Sequence, residues 1–344
     1  MKKMKVLRKK FSEKGLWIDE IDCPKISANE VLLRVKKTAI CGTDLHIYNW
    51  DEWSRKQVKI PTVLGHEFAG EVIKTGELVQ DLRVGERVSA EGHLVCGRCR
   101  NCLAGKKHLC SFTKGLGIHV NGAFAEFVKV PRENIYRIPD TIKDEEAAIF
   151  DPFGNAVFSV SKADISGEDV LVTGAGPVGC LTALLCSYLG ARHIVITDVN
   201  PYRLNLLKSI PRVTPINTNE TSLDKILNLL KIKEGFDVSF EMSGNKHALD
   251  DIIKFTRHGG EVINLGVFSS KTEIDINSII FKSLTLHGVY GREIFETWYK
   301  MVSYIETGLN IRSFITHSFN FYDFEEAFQL LNHGKACKVI LEWS

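Results

Sequence analysis

The chain has 344 residues, of which 44% are hydrophobic and 25% charged, so it can form about two domains with ordinary globular cores. A formal net charge of +2 argues against a protein whose main partner is nucleic acid. No apolar stretch is long enough to span a membrane, and the basic first residues lack the apolar run of a secretory signal. We therefore expect a cytoplasmic protein with neither a membrane nor a nucleic-acid partner.

The first 150 residues or so have the pattern of a β-rich domain. Short β-branched runs are separated by glycine, proline and polar turns, and strands are predicted at 31–40, 67–76, 86–90 and 124–130. From Val170 the pattern changes, and strands alternate with helical stretches. Strands are predicted at 169–174, 193–198, 237–244, 261–266 and 284–290, with helices at about 178–189 and from about 201.

This alternation is typical of βαβ units on a parallel sheet. After residue 294 the sequence predicts a helix at 295–307, a second amphipathic stretch at 322–333 and a strand at 338–343. Because this last part is too short to form a domain, we expect it to complete the first one.

A glycine motif follows the strand that ends near residue 174. Gly174, Gly176 and Gly179 have GxGxxG spacing, they open a helical run, and Asp198 ends the next strand 19 residues later. In a dinucleotide site these glycines allow a tight turn, close approach of a pyrophosphate, and helix–strand packing. The alternative is a glycine-rich turn in an unrelated α/β protein.

Asp198 predicts a preference for NAD over NADP. Its carboxylate can accept hydrogen bonds from both ribose hydroxyls, and it would repel a 2′-phosphate by up to about 4 kcal/mol at 4 Å and an effective dielectric near 20. Arg203, five residues later, could instead bind that phosphate. We expect Arg203 to lie over the adenosine side.

Four of the nine cysteines lie within fifteen residues of one another: Cys96, Cys99, Cys102 and Cys110. Four thiolates with short spacers can close a tetrahedron around zinc and leave no position for a substrate. Redox cysteines, an iron–sulfur cluster and a nucleic-acid zinc knuckle are the alternatives. We predict a structural zinc site.

A second possible metal site combines Cys41 with His66 and Glu67. A thiolate, an imidazole and a carboxylate suit a catalytic zinc with an exchangeable position. Because Cys41 and His66 are 25 residues apart, spacing alone leaves open that both are plain core residues.

The order of these motifs is distinctive: CGTDLH (41–46), GHEFAGEV (65–72), the four cysteines and GAGPVG (174–179). It resembles the zinc-containing medium-chain alcohol dehydrogenase family over essentially the whole chain. The resemblance implies a GroES-like β-rich catalytic domain at 1–154, completed by 294–344, and a doubly wound Rossmann domain at 155–293. It also implies two zinc ions per chain, one catalytic and one structural, together with NAD and a homotetramer.

A narrower resemblance is to a branch of the family that oxidises L-threonine with NAD. It is carried by residues 38–54, 89–102, 149–157, 170–179, 196–204 and 288–299, whereas 115–127 depart from the pattern. The activity it implies is oxidation of the secondary hydroxyl to L-2-amino-3-oxobutanoate. A polyol or simple secondary-alcohol dehydrogenase and a non-catalytic NAD-binding scaffold are the alternatives.

The resemblance assigns roles to individual residues. Cys41, His66 and Glu67 surround the catalytic zinc, Asp151 is a transient ligand or a relay element, and Thr43 and His46 form a proton relay. Without the resemblance, the alternative for Thr43 is a turn or helix-cap hydroxyl, and the alternative for His46 is a residue on the surface of a helix. Contacts to NAD carry over to Val178, Asp198, Arg203, Leu265, Gly266, Val267, Val289 and Tyr290.

A threonine substrate also needs partners for an ammonium and a carboxylate. Arg292 could offer a bidentate guanidinium, and His93, just before the cysteine cluster, could line the pocket. The alternative for Arg292 is an ion pair between domains or subunits.

Overall fold

The computed structural model describes residues 3–343, which form two compact units. The first unit runs to Asp151 and takes in Glu293–Thr307 and the segment from Ile315 onward, and the second comprises Pro152–Arg292 and Gly308–Phe314.

Short strands dominate the first unit, as the sequence predicts. Its strands are β1 Lys3–Lys9, β2 Trp17–Asp22, β3 Glu30–Ala39, β4 Thr62–Val63, β5 Glu67–Thr75, β6 Arg87–Ala90, β7 His93–Leu94, β8 Lys114–Gly115, β9 Phe127–Pro131, β10 Ile135–Arg137, and later β17 Ile315–Asn320 and β18 Lys338–Glu342. Its helices are α1 Gly42–Asn49, α2 Glu52–Gln57, α3 Arg100–Leu103, α4 Asp144–Ala148, α11 Glu296–Glu306 and α12 Phe324–Asn332.

The main sheet of this unit is built around β3. Its strand order is β10-β6-β5-β3-β18-β17, with β9 also paired to β3, and all neighbours except the parallel β17–β18 pair are antiparallel. Smaller ladders join β2-β1-β4 and β7-β8. Alternate residues of β3 are fully buried, among them Val31, Leu33 and Val35, because successive side chains of a strand point to opposite faces.

The second unit is a wound α/β domain. Helix α5 (Phe150–Val160) crosses into it, followed by β11 Asp169–Thr173, α6 Pro177–Tyr188, β12 His193–Asp198, α7 Pro201–Asn205, β13 Val213–Asn217, α8 Leu223–Leu230, β14 Phe236–Glu241, α9 Lys246–Phe255, β15 Thr256–Asn264, α10 Ile276–Phe281 and β16 Thr285–Gly288. Its six strands are parallel in the order β13-β12-β11-β14-β15-β16. This is the Rossmann order, and it confirms the predicted fold class.

Some predicted boundaries differ from those in the structure. The sequence assigned all of 294–344 to the first unit, but residues 308–314 belong to the second, where the 3₁₀ turn Ile311–Phe314 packs against α6. The strand expected at 261–266 begins at Thr256, directly after α9, and the strand expected at 124–130 begins only at Phe127. Several elements were not assigned from the sequence, among them strands β1, β2, β13 and β17 and helices α1, α5, α8 and α9.

Among residues 3–343, no helix combines the length and the hydrophobicity that a membrane crossing requires.

Candidate metal and cofactor sites

Three strand ends meet at the Cys41 cluster because of the register of the main sheet. Ala39, at the end of β3, pairs with Glu67 at the start of β5 and with Ile340 in the middle of β18, two residues after Lys338, where that strand begins. In antiparallel pairs the end of one strand meets the start of its neighbour. The ligand-type atoms of Cys41, His66 and Glu67 therefore lie within 4.8 Å of one another, although 25 residues separate the first two.

Asp44 fastens the two segments that carry this cluster. Its Oδ2 accepts a hydrogen bond from the Cys41 backbone N–H at 3.0 Å, and its Oδ1 accepts one from the Gly65 N–H at 3.3 Å. Asp44 is fully buried at the third position of α1, where an acidic side chain can bond back to the residue before the helix. Gly65 has φ +90°, and a Cβ there would lie 2.2 Å from the Phe124 ring, so this turn requires glycine.

A buried lysine accompanies Glu67. The Lys338 Nζ donates to Oε2 of Glu67 and, at 3.0 Å, to the Ile40 carbonyl oxygen. Burial acts against a charged lysine, but the negative charges of Glu67 and Cys41 outweigh it and raise the pKa of Lys338. Oε1 of Glu67 and Nδ1 of His66 are buried and have no hydrogen-bond partner in the structure. Two orphaned atoms beside a thiol fit a cation such as zinc.

The charges around His66 also favour a bound cation. Burial disfavours its imidazolium form, but the negative charges of Cys41, Asp44 and Asp151 outweigh burial and raise the pKa of His66 well above its usual range. A Cβ built on Gly92 would lie 3.2 Å from Cβ of His66 and 3.8 Å from Oδ2 of Asp151, so these three residues are neighbours. The site thus concentrates negative charge that a divalent cation would balance.

The four-cysteine cluster lies in the loop between β7 and β8. The sulfur atoms of Cys96, Cys99, Cys102 and Cys110 all lie within 4.8 Å of one another. The backbone N–H groups of Cys96 and Phe112 both donate to Sγ of Cys110 at 3.4 Å. Four converging sulfurs with amide donors are the donor set of a closed, structural zinc site.

The thiols of the cluster differ in their pKa values. Hydrogen bonds from the backbone amides of Cys102 and Ser111 lower the pKa of Cys99 to about 6. Burial and hydrogen bonds with Cys99 and Cys110 raise the pKa of Cys102 to about 12. Zinc binds thiolates, so it would displace the remaining thiol protons on binding.

The predicted relay residues lie on α1, directly after Cys41. Thr43 is half-buried in the first turn, and His46 follows three residues later on the same helix face. The His46 ring is exposed, and its Nδ1 pairs with Oδ2 of Asp51.

His93 is held by a buried carboxylate that the sequence did not indicate. Oε1 of Glu91 accepts from the His93 backbone N–H at 2.9 Å and pairs with its Nδ1 at 2.7 Å. Oε2 of Glu91 accepts from the Trp298 indole N–H at 3.3 Å. Because Gly92 between them touches His66, the His93 segment borders the Cys41 cluster.

In the second unit, the glycine motif forms the turn between β11 and α6. A Cβ on Gly179 would lie 1.8 Å from the Gly174 carbonyl oxygen, and Gly174 has φ +90°, so the protein's own packing requires both glycines. A Cβ on Gly176 would meet no protein atom within 4 Å. Packing does not explain glycine there, whereas the approach of a pyrophosphate to the α6 N-terminus does.

Asp198 ends β12 beside this turn. Its Oδ2 accepts from the Ala175 N–H at 2.6 Å and its Oδ1 from the Asn200 N–H at 2.8 Å. The carboxylate therefore also holds the glycine turn. Arg203 lies in α7, and its Nε is buried with no partner in the structure.

The other predicted cofactor contacts lie at the same edge of the parallel sheet. Val178 is half-buried in the first turn of α6, Leu265, Gly266 and Val267 follow β15, and Val289 and Tyr290 follow β16. Arg292 is buried and donates from Nη1 to Oδ1 of Asn155 at 3.1 Å. Its role toward a substrate stays a prediction.

Known proteins with these features are zinc-binding dehydrogenases. The family model of the alcohol dehydrogenase GroES-like domain matches residues 27–140, and that of the zinc-binding dehydrogenases matches residues 177–307. The chain belongs to the zinc-containing medium-chain dehydrogenase family.

Within this family the chain is similar to L-threonine 3-dehydrogenases. It is 50% identical over 340 residues to that of Pseudoalteromonas atlantica, a match covering 99% of this chain and 100% of the relative. Two solved structures share the fold over 99% of this chain and 100% of theirs. One is a zinc-binding dehydrogenase from Sinorhizobium meliloti 1021 bound to NADP (25% identity, TM-score 0.90), and the other an alcohol dehydrogenase from E. coli CFT073 complexed with NADH (29%, 0.89).

Sequence reasoning missed Asp44, Glu91 and Lys338. Asp44 had a local signal, because an acidic residue three positions after Cys41 is half of a capping box. Lys338 had none, since its partner Glu67 comes from a distant strand, and for Glu91 only the contact with His93 is local, whereas the Trp298 indole comes from a distant helix.

Proposed function

We propose that this chain oxidises the secondary hydroxyl of L-threonine to L-2-amino-3-oxobutanoate while NAD⁺ is reduced to NADH and one proton is released. The observation that carries the proposal is the 50% identity over the full length to an L-threonine 3-dehydrogenase. The cluster of Cys41, His66 and Glu67 supplies the ligand set that such a reaction needs.

Each cofactor has its own set of residues. Cys41, His66 and Glu67 would hold the catalytic zinc, which acts as a Lewis acid on a substrate oxygen. The four cysteines would hold the structural zinc. The glycine turn between β11 and α6 would hold NAD, which would supply a hydride acceptor for the substrate carbon.

The chain's own residues move the proton. The Thr43 hydroxyl can accept a proton and donate one at the same time, and His46, three residues along the same helix face, passes it to solvent. Asp151 adds a negative charge beside His66 that favours a cation there. His93, oriented by Glu91, borders the same cluster and is our candidate for contact with the substrate ammonium or carboxylate.

A substrate panel tests the proposal. We expect kcat/KM with NAD to fall in the order threonine, serine, polyols. Serine lacks only the methyl group, worth roughly 10- to 200-fold. Sorbitol or 2,3-butanediol would leave the site's charged partners unpaired, which costs more than a missing methyl. If either outruns threonine, the chain is a dehydrogenase of the same family with another substrate.

We further infer that NAD is used in preference to NADP. Asp198→Asn removes the charge and keeps one of the two acceptor oxygens, so that the hydrogen bond from the Ala175 N–H can persist while that from the Asn200 N–H is lost. We expect the relative kcat/KM with NADP to rise about tenfold or more. Asp198→Ala, which also loses both backbone hydrogen bonds, separates the charge effect from loop disruption. An unchanged ratio in Asp198→Asn would mean that this carboxylate does not face the ribose.

We also infer a homotetramer in the cytoplasm, where thiols stay reduced. Two apolar surfaces support assembly: Ile280, Phe281 and Leu286 near the edge strand β16, and Leu103 and Phe112 on the cysteine loop. Two different self-pairing surfaces per chain would produce four subunits. Analytical ultracentrifugation of Phe281→Asp and Phe112→Asp variants tests this, and each is expected to give dimers.

A further inference from the structure

We infer that Asp51 is the positioning residue of the proton relay, because it orients His46 and sets which ring nitrogen can accept a proton. This inference rests on the relay proposed above for Thr43 and His46. Asp51 itself touches neither substrate nor cofactor in this scheme.

The two carboxylate oxygens of Asp51 have different partners. Oδ1 caps α2, accepting from the Ser54 backbone N–H at 2.9 Å and from the Ser54 hydroxyl at 3.0 Å. Oδ2 pairs with Nδ1 of His46. Capping alone needs one oxygen, so the second contact is additional to what the helix requires.

The turn that carries Asp51 is fixed from several sides. Trp50, between the two helices, is buried with φ +57°, and its carbonyl oxygen accepts from Nε of Arg55 at 3.0 Å. The Asp51 N–H donates to the His46 carbonyl oxygen at 3.4 Å. These contacts fix the backbone of the turn, and the cap contact with Ser54 fixes the Asp51 side chain on it.

Charge makes Asp51 an acceptor only. Burial acts to raise its pKa, but hydrogen bonds from the Ser54 amide and from His46 outweigh burial and lower it, so the carboxylate is ionised at neutral pH. The His46 ring also contacts the Trp53 indole, with 6.0 Å between centroids. The nearby charged side chains of α2 have other partners, since Lys56 pairs with Glu52 at 2.7 Å and Arg55 with the Trp50 carbonyl.

These contacts determine the tautomer of His46. An ionised carboxylate can only accept, so neutral His46 carries its proton on Nδ1, and Nε2 keeps the lone pair that receives a proton from Thr43. When Nε2 becomes protonated, the imidazolium lies beside a negative charge. Nε2 then releases the proton to water, since the His46 side chain is 60% exposed.

Asp51→Asn separates the two roles of this residue. Asparagine caps helices as well as aspartate does, so α2 should persist. Its amide N–H₂ can donate to Nδ1 of His46, which would place the ring proton on Nε2 and block acceptance. We expect the single-turnover rate of NADH formation to fall at least about 100-fold, the lower end of what a general acid–base group contributes. The pH–rate profile should shift or flatten, while zinc content, KM for NAD and Tm stay at parental values.

Two further variants complete the experiment. Ser54→Ala removes a cap contact and should lower Tm while leaving the rate within about twofold. His46→Ala tests the relay itself. If His46→Ala is slow and Asp51→Asn has the parental rate and pH profile, Asp51 is only a helix cap and our inference is wrong. If His46→Ala has the parental rate and pH profile, the proposed relay fails, and with it the role of Asp51.

Discussion

In the loop of residues 95–113, Cys102 and Cys110 are the only buried side chains, and the regular structure is limited to one turn of α3 and one 3₁₀ turn. The Cys41 cluster, by contrast, lies where β3, β5 and β18 meet, and it is flanked by the buried Asp44 and Lys338. The four-cysteine loop therefore has almost no buried core apart from its own sulfur atoms. The Cys41 cluster is placed by a sheet that forms without it.

This difference separates two ways in which a metal and a fold depend on each other. In the cysteine loop the metal would provide the core, so binding energy is folding energy. At Cys41 the fold prepares the ligands, and Asp44 and Lys338 hold them from outside. Metal loss should therefore unfold the first region locally and inactivate the second without unfolding it.

The largest effect is expected from removing a ligand of the prepared site. Cys41→Ser should lower kcat at least about 10³-fold, because Lewis-acid stabilisation is worth several kcal/mol. Tm should change little. Metal analysis should show one zinc per chain instead of two, and Cys23→Ser, outside both clusters, is the matched control. A Cys41→Ser variant that also loses the loop zinc would break the distinction between the regions.

The next effect concerns stability. Cys102→Ser should remove the loop zinc, whose apparent binding energy in such sites is roughly 10–16 kcal/mol. We expect amide exchange to accelerate across 95–113, while the amides of β3 and β5 stay protected. Equal protection of this loop in the variant and the parent would mean that its structure does not depend on the metal.

A smaller effect is expected from loosening the prepared site. Asp44→Asn keeps the size of the side chain but replaces one of the two oxygens that accept from the Cys41 and Gly65 amides by an NH₂ group, so one of these hydrogen bonds is lost. Zinc affinity at the Cys41 site should fall about 10- to 100-fold, with the loop zinc unaffected. Competition with a chelator measures both sites. Asp81→Asn, which alters only surface pairs with Arg132 and Arg137, is the control.

The smallest effect is expected for the ion pair between Lys107 in the loop and Glu133. Both side chains are exposed, so Lys107→Ala should change the free energy of unfolding by less than about 1 kcal/mol and leave both zinc ions bound. A larger loss measured by chemical denaturation would show that surface charge, and not the metal, holds the loop.

Features whose parts are close in sequence were predictable from the sequence. The four cysteines are joined by short spacers, and the glycine turn with Asp198 lies within one βαβ unit, so local spacing fixes their geometry. The alternation of strands and helices after Val170 similarly indicated the parallel sheet. Asp51 and His46 are also near in sequence, but their contact depends on the left-handed turn at Trp50, which spacing does not reveal.

Tertiary structure alone decided what surrounds the Cys41 cluster. Lys338 reaches Glu67 from 271 residues away, and the Trp298 indole reaches Glu91 from 207 residues away. The register of β3 with β5 and β18 determines which strand ends meet, and that register follows from burying one face of each strand in a shared core. No local pattern carries this information, because the free energy that selects the register comes from side chains packed across the whole sheet.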